Sequence, residues 1–209
     1  MSKYLKPIFL ILFFSLFFIQ GINLTTADLG RHLKNGELFL TEGKILSTNF
    51  YSYTQPDFPV VTHHWGFGVL FYILFQLFGF SGLSISFALV GGISTYLVFL
   101  LLEKNSSAWF SFLMLMLSMP LIRMRLEIRP EIFSLLFVVF LIYLYEKYKA
   151  KEISLKKFVP LVLLIQLVWV NMHIYFIFGF FIDVDHYLHD LFKYKVSLKK
   201  SYLMHMNIV

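Results

Sequence analysis

The chain has 209 residues, of which 58% are hydrophobic, 20% aromatic and only 14% charged, and its formal net charge is +6. Soluble domains carry about 25% charged residues, and a body this small cannot hide 26 Phe and 12 Tyr from water. This excludes an ordinary soluble domain, and the absence of Cys excludes a disulfide framework, a thiolate zinc site and a cysteine nucleophile. With mean hydropathy +0.73 and pI near 9.4, the lysines sit between apolar runs. That spacing points to orientation in a bilayer rather than to nucleic acid, and no nucleic-acid partner is expected.

In chain order, the first apolar run is Pro7–Ile22, preceded by Lys3 and Lys6. It suits a signal peptide, with Leu24–Ala27 as a small-residue cleavage site, or a retained first membrane helix; retention fits a chain that is itself membrane-embedded. Further runs are Trp65–Phe80, Leu83–Leu102, Ala108–Ile122, Ile132–Tyr145, Phe158–Asn171 and Ile174–Ile182. Several are shorter than the roughly 20 residues a spanning helix needs.

Whether residues 65–80 cross the membrane sets the sidedness of all that follows, and the positive-inside rule arbitrates. If they do not cross, twelve lysines (3, 6, 104, 147, 149, 151, 156, 157, 193, 195, 199 and 200) lie inside. Six cations, Arg31, Lys34, Lys44, Arg123, Arg125 and Arg129, then lie outside. If they cross, the balance reverses to five inside against thirteen. The expectation is therefore an all-α membrane protein, forming a single module over 1–209. It has a cytoplasmic N-terminus, about six transmembrane helices and a juxtamembrane or re-entrant helix near 65–80. A large first extracytoplasmic loop, about 23–64, carries a helix over Ala27–Thr41 and an extended, turn-rich piece from Ser47 to Pro59. Gly66, Gly68, Gly79 and the pair Gly91-Gly92 suit close packing between helices.

Polar residues gather on the expected outer side. Asp28 follows the first apolar run by six residues, near the headgroups and beside Arg31 and His32. It can serve as a general base or as the N-cap of the following helix. His32, His63 and His64 suit either a divalent metal, with a carboxylate to complete the site, or an interfacial cluster beside Trp65. Arg123, Arg125 and Arg129 run against the positive-inside bias; they fit a bound phosphate or snorkel to the headgroups. Glu131 after Pro130 reads as a helix start or a site carboxylate. Asn171 and His173 line a cavity or form a helix-to-helix turn. On the other side Asp183, Asp185, His186, His189 and Asp190 read as a solvated face, with His186 and Asp190 spaced to share a metal.

Five ordered elements, TADLGRHLKNGE, STNFYSYT, HHW, RPEIFS and WVNMH, together resemble the N-terminal part of the GT-C fold membrane glycosyltransferases, the superfamily of protein mannosyltransferases. The resemblance covers roughly residues 24–180. It implies sugar transfer from a polyprenyl-phosphate donor with inversion at the anomeric carbon, possible use of a divalent metal, and membrane lipid as surroundings. Asp28 matches the catalytic base, and Arg129 matches the Arg of the RP element and is the phosphate candidate. Arg31, His32, His63, His64, Glu131, Asn171 and His173 are expected around the substrate, with His and Arg stabilising the departing phosphate. His64 stands where relatives commonly carry Glu. Relatives are about twice as long or more, so the chain is expected to be an N-terminal fragment or one half of a split module, inactive alone or completed by a C-terminal partner chain. The competing expectation is a non-catalytic transporter or assembly partner.

Overall fold

The structure is a computed structural model that describes residues 4–24, 28–123 and 127–186. It is all-helical: the described residues contain no strand, only an isolated antiparallel bridge between Thr48 and Pro59. The helices are α1 (Leu5–Ser15, continued by a 3-10 turn Leu16–Phe18), α2 (Leu29–Glu42), α3 (Trp65–Glu103), α4 (Ala108–Arg123), α5 (Glu131–Lys149) and α6 (Leu155–Met172). A further helical stretch, α7, covers 176–186.

Local chemistry sets the boundaries. α2 stops at Gly43, whose φ of +67° is the left-handed conformation glycine tolerates, and whose N–H returns to the Phe39 carbonyl. α3 is broken at Gly79, with φ 63° and ψ −162°, a backbone region almost closed to other residues. The turn-rich loop folds back on itself, with Asn49 N–H donating to Phe58 O and Val60 N–H to Ser47 O, both at 2.9 Å.

Contacts along α1 and the second part of α3 define two poles. Ser84 donates to the Gln20 carbonyl at 2.5 Å, Gly91 and Gly92 lie against Phe18 and Ser15, and Lys6 pairs with Glu103 at 3.6 Å. The two segments are therefore antiparallel. The pole of Lys6 and Glu103 also holds the Lys104–Glu146 pair (2.6 Å) at the end of α5. The first part of α3 starts beside Asn171 and ends near Ser84 and Gln20, so both of its ends stay at the opposite pole.

Between the poles the packing is aromatic, with Phe18, Leu29, Phe67, Phe71, Leu83, Phe87, Phe133, Phe137 and Trp169 in one cluster. Two helices, Trp65–Glu103 and Leu155–Met172, are long and apolar enough to cross a membrane; Leu5–Phe18 and Ala108–Ile122 are apolar but shorter. Their outer faces are greasy: Leu121 on α4 is 73% exposed and Leu163 on α6 is 64% exposed, which water does not favour.

α2 and α3 meet backbone to backbone. A Cβ on Gly36 would lie 2.1 Å from the Gly68 carbonyl oxygen, and one on Gly68 would lie 2.6 Å from the His32 carbonyl oxygen, whereas Gly30 on the same helix faces open space. Gly36→Ala is expected to destabilise by on the order of 2 kcal/mol through overpacking. Gly30→Ala is expected to be neutral or stabilising by about 0.5 kcal/mol, from helix propensity. Thermal unfolding of the two variants in detergent checks the pair.

Candidate functional site

Helical spacing places Asp28, Arg31, His32 and Asn35 along neighbouring rows of α2. Asp28 occupies the N-cap position, and its carbonyl accepts the His32 N–H at 3.0 Å, but its side chain makes no cap hydrogen bond. The carboxylate instead pairs with Arg31 at 3.2 Å, both side chains largely exposed. The cap role expected of this side chain is thus not the one it plays, and it stays open to solvent.

His32 faces inward because the glycine contact presses α2 onto α3. It is 3% exposed, its ring edge 5.0 Å from Phe67 and 5.4 Å from His64 (centroid to centroid). His64 directly precedes α3, its ring tilted against that of His63 with centroids 4.1 Å apart and 5.1 Å from that of His173. His173 ends α6 in extended backbone, its N–H held by the Trp169 carbonyl at 3.0 Å. Its ring is buried against α5, with Nδ1 2.8 Å from Ser134 Oγ, and that oxygen accepts the Trp169 indole N–H at 2.8 Å. Four histidines from three distant segments thus form one cluster.

Above it lies a cavity of about 320 Å³, lined on the α2 side by Arg31, His32 and Asn35, and elsewhere by Thr48, Asn49, Tyr51, Thr62, His63 and His64 among others. Tyr51 closes one wall, its hydroxyl on Asn35 Oδ1 and 3.3 Å from the Arg31 carbonyl. Burial pushes the Tyr51 hydroxyl above the ordinary phenol range, so it remains a donor.

Burial is the first cause that lowers three of the imidazoles. His32 falls to about 4, with the Arg31 charge adding to the effect, Asp28 opposing it, and His173 and Arg129 contributing further. His64 falls to about 3, its histidine neighbours and Arg31 reinforcing the burial, and His173 falls to about 4, reinforced by His63. At neutral pH these three rings are uncharged. The expectation that histidines act beside arginine as cations is corrected: His32, His64 and His173 offer hydrogen bonds, and positive charge comes from arginine.

The other expected residues separate. Arg129 lies just before α5, ion-paired with Glu127 at 2.7 Å and close enough to influence His32. Glu131 is exposed in the first turn of α5, while Pro130 sits at the N-cap rather than inside the helix. Asn171 is a structural clamp: its Oδ1 accepts the Trp65 indole N–H at 2.9 Å, its Nδ2 donates to Leu167 O at 2.8 Å, and its backbone abuts Gly66. Among the described residues no group of three or more His, Asp and Glu is placed to hold a metal ion, so the expected metal finds no gathered ligand set. His186 stacks on Tyr145 at 3.7 Å; its expected metal partner Asp190, with His189, lies outside the described residues, as do Arg125 and the side chain of Arg123.

Asn35, Tyr51 and Ser134 join the site unannounced. Asn35 was discoverable one helical turn after Arg31. Tyr51 lies within STNFYSYT and Ser134 ends RPEIFS, but nothing in those elements marks either side chain, and loop folding and the α5–α6 contact bring them in. No family model, curated protein or solved structure matches this chain.

The lowered imidazoles couple stability to pH. Unfolded, each titrates near 6.5, and folded near 3 to 4. Between those limits the unfolded chain binds more protons, so stability is full above about pH 6.5 and falls as the pH drops toward 4. His32 alone contributes on the order of 3 kcal/mol across that window. The unfolding midpoint in detergent is expected to be flat from pH 8 to 7, to decline below 6.5, and to decline less steeply in His32→Gln.

Proposed function

We propose that the chain is a membrane glycosyltransferase-like module that transfers a sugar from a polyprenyl-phosphate donor to an acceptor at the extracytoplasmic face. One observation carries this reading: residues from the loop start (Asp28, Arg31, His32), the HHW element, the RP element and the WVNMH element converge around one pole and its cavity. These are the elements that carry the resemblance to the GT-C enzymes, and their convergence needs no knowledge of that resemblance.

The bilayer orientation belongs to the same proposal. Six helices span, the N-terminus is cytoplasmic, and the first part of α3 lies along the outer interface. Two helices of spanning length and apolarity, the exposed apolar faces of α4 and α6, and the lysine-rich opposite pole support it.

In the proposed reaction Asp28 takes the proton of an acceptor hydroxyl, whose oxygen attacks the anomeric carbon. The bond from that carbon to the phosphate oxygen breaks, and the electron pair leaves with the lipid phosphate. Arg31 and Arg129 supply fixed positive charge for it. The amides, hydroxyls and uncharged imidazoles of the cavity suit a neutral, hydroxyl-rich ring, and the exposed carboxylate of Asp28 suits an incoming acceptor. The step needs no metal, although the chemistry is compatible with one. A second chain that completes the module is a candidate partner.

A transport passage has less support. The hydroxyls within the apolar helices, Ser94, Thr95 and Ser118, each donate to a carbonyl of their own helix at 2.7 to 2.9 Å, and the cavity they border is otherwise lined by apolar side chains.

Vesicles holding the chain, with any completing partner, and a polyprenyl-phosphate sugar are expected to show transfer that Asp28→Asn lowers by about 10²- to 10⁴-fold, the scale of general-base catalysis. A membrane-impermeant thiol reagent is expected to label Asp28→Cys from outside intact cells. Unchanged transfer in Asp28→Asn, or labelling only after the cytosol is opened, would overturn the reading.

A further inference from the structure

The hydroxyls of Ser15, Ser94, Ser111, Ser118 and Thr95 bond the carbonyl four residues back on their own helices. Ser134, buried in α5, breaks that habit. The carbonyl four residues before it, on Pro130, takes the Phe133 N–H at 3.1 Å. The Ser134 oxygen instead sits between Trp169 Nε1 and His173 Nδ1, 2.8 Å from each.

The donor assignment follows from what each group can do. An indole nitrogen only donates, so Ser134 Oγ accepts from Trp169. Its single proton then needs an acceptor, because Ser134 is 5% exposed and a buried O–H left unbonded costs on the order of 1 to 3 kcal/mol. Among the described residues the acceptor is His173 Nδ1. A nitrogen that accepts carries no hydrogen, and the neutral ring therefore holds its hydrogen on Nε2.

We infer that Ser134 and Trp169 are positioning residues that hold His173 as the neutral tautomer protonated at Nε2, so that it gives the cluster an N–H and cannot act as its base. The two ring nitrogens lie on opposite flanks of the imidazole, so anchoring Nδ1 on α5 directs Nε2–H away from that helix. His173 is thereby excluded as a proton acceptor toward the cluster. The tautomer stands independently of the proposed function; only its use, donating to an oxygen of the sugar or of the departing phosphate, rests on that reading.

The test is nitrogen NMR on the full chain, labelled with ¹⁵N-histidine in detergent at pH 7.5, with His173→Gln to assign the signals. The expected result is one tautomer for His173, with a pyridine-type Nδ1 and a pyrrole-type Nε2. Ser134→Ala is expected to give a mixture, Trp169→Phe is expected to loosen the preference because Ser134 Oγ is then free to accept from Nδ1–H, and Ser134→Thr is expected to retain the single form because the hydroxyl remains on Nδ1. A hydrogen on Nδ1 in the wild type, or a tautomer indifferent to Ser134→Ala, overturns the inference; should Ser134→Ala not fold, the wild-type spectrum decides. In the transfer assay Ser134→Ala is expected to lose about tenfold in kcat, the scale of one hydrogen bond, with KM little changed, and Ser134→Thr to recover it. An Nε2–H tautomer in a protein that transfers no sugar would retain the inference and remove the reaction.

Discussion

Much of the pole that holds the histidines depends on one steric contact, the approach of α2 and α3 at Gly36 and Gly68. At that distance no side chain separates the two backbones. His32 is consequently driven beneath the surface against Phe67 and His64, while Asp28 and Arg31 on the adjoining rows stay in water. A larger residue at either glycine would lift α2 away, admit water to the imidazoles and remove the burial that keeps them neutral.

The other half of the pole is held by indoles. Trp65 reaches Asn171 and Trp169 reaches Ser134, so the ends of α3, α5 and α6 are tied by directional hydrogen bonds where the surrounding core is Phe-rich and largely non-directional. Packing among aromatic rings fixes separation but leaves rotation about the helix axes loosely specified. A few bonds in a low-dielectric setting supply that specificity. The same arrangement separates two polar roles: charge remains at the rim on Asp28, Arg31 and the Arg129–Glu127 pair, while His32, His64 and His173 below it are uncharged.

The opposite pole is built differently. Lys6–Glu103, Lys104–Glu146 and Lys147–Glu152 are partly exposed pairs, each worth little to stability. Their arrangement around the ends of α1, α3 and α5 leaves the apolar stretches between two charged rims.

Helical class, the placement of α2, the turn-rich loop and the division of the α3 region into two apolar runs were legible in the sequence, because hydrophobic runs and the i, i+4 repeat act over a few residues; Gly79, expected to pack against other helices, instead faces open space and breaks α3 through its positive φ. Also legible was the membership of His32, His63, His64 and His173 in one region, through the grouping of polar residues at the ends of apolar runs. The sequence could not tell that the Asp28 side chain bonds Arg31 instead of capping α2, that Asn171 is spent on Trp65, or that His32, His64 and His173 are neutral. Nor did the RPEIFS element, which ends on Ser134, show that this hydroxyl bonds Trp169 and His173. Those outcomes depend on which face of each helix meets its neighbour and on how much water is left around a ring, quantities set by contacts between segments tens to more than a hundred residues apart, and so by the tertiary structure alone.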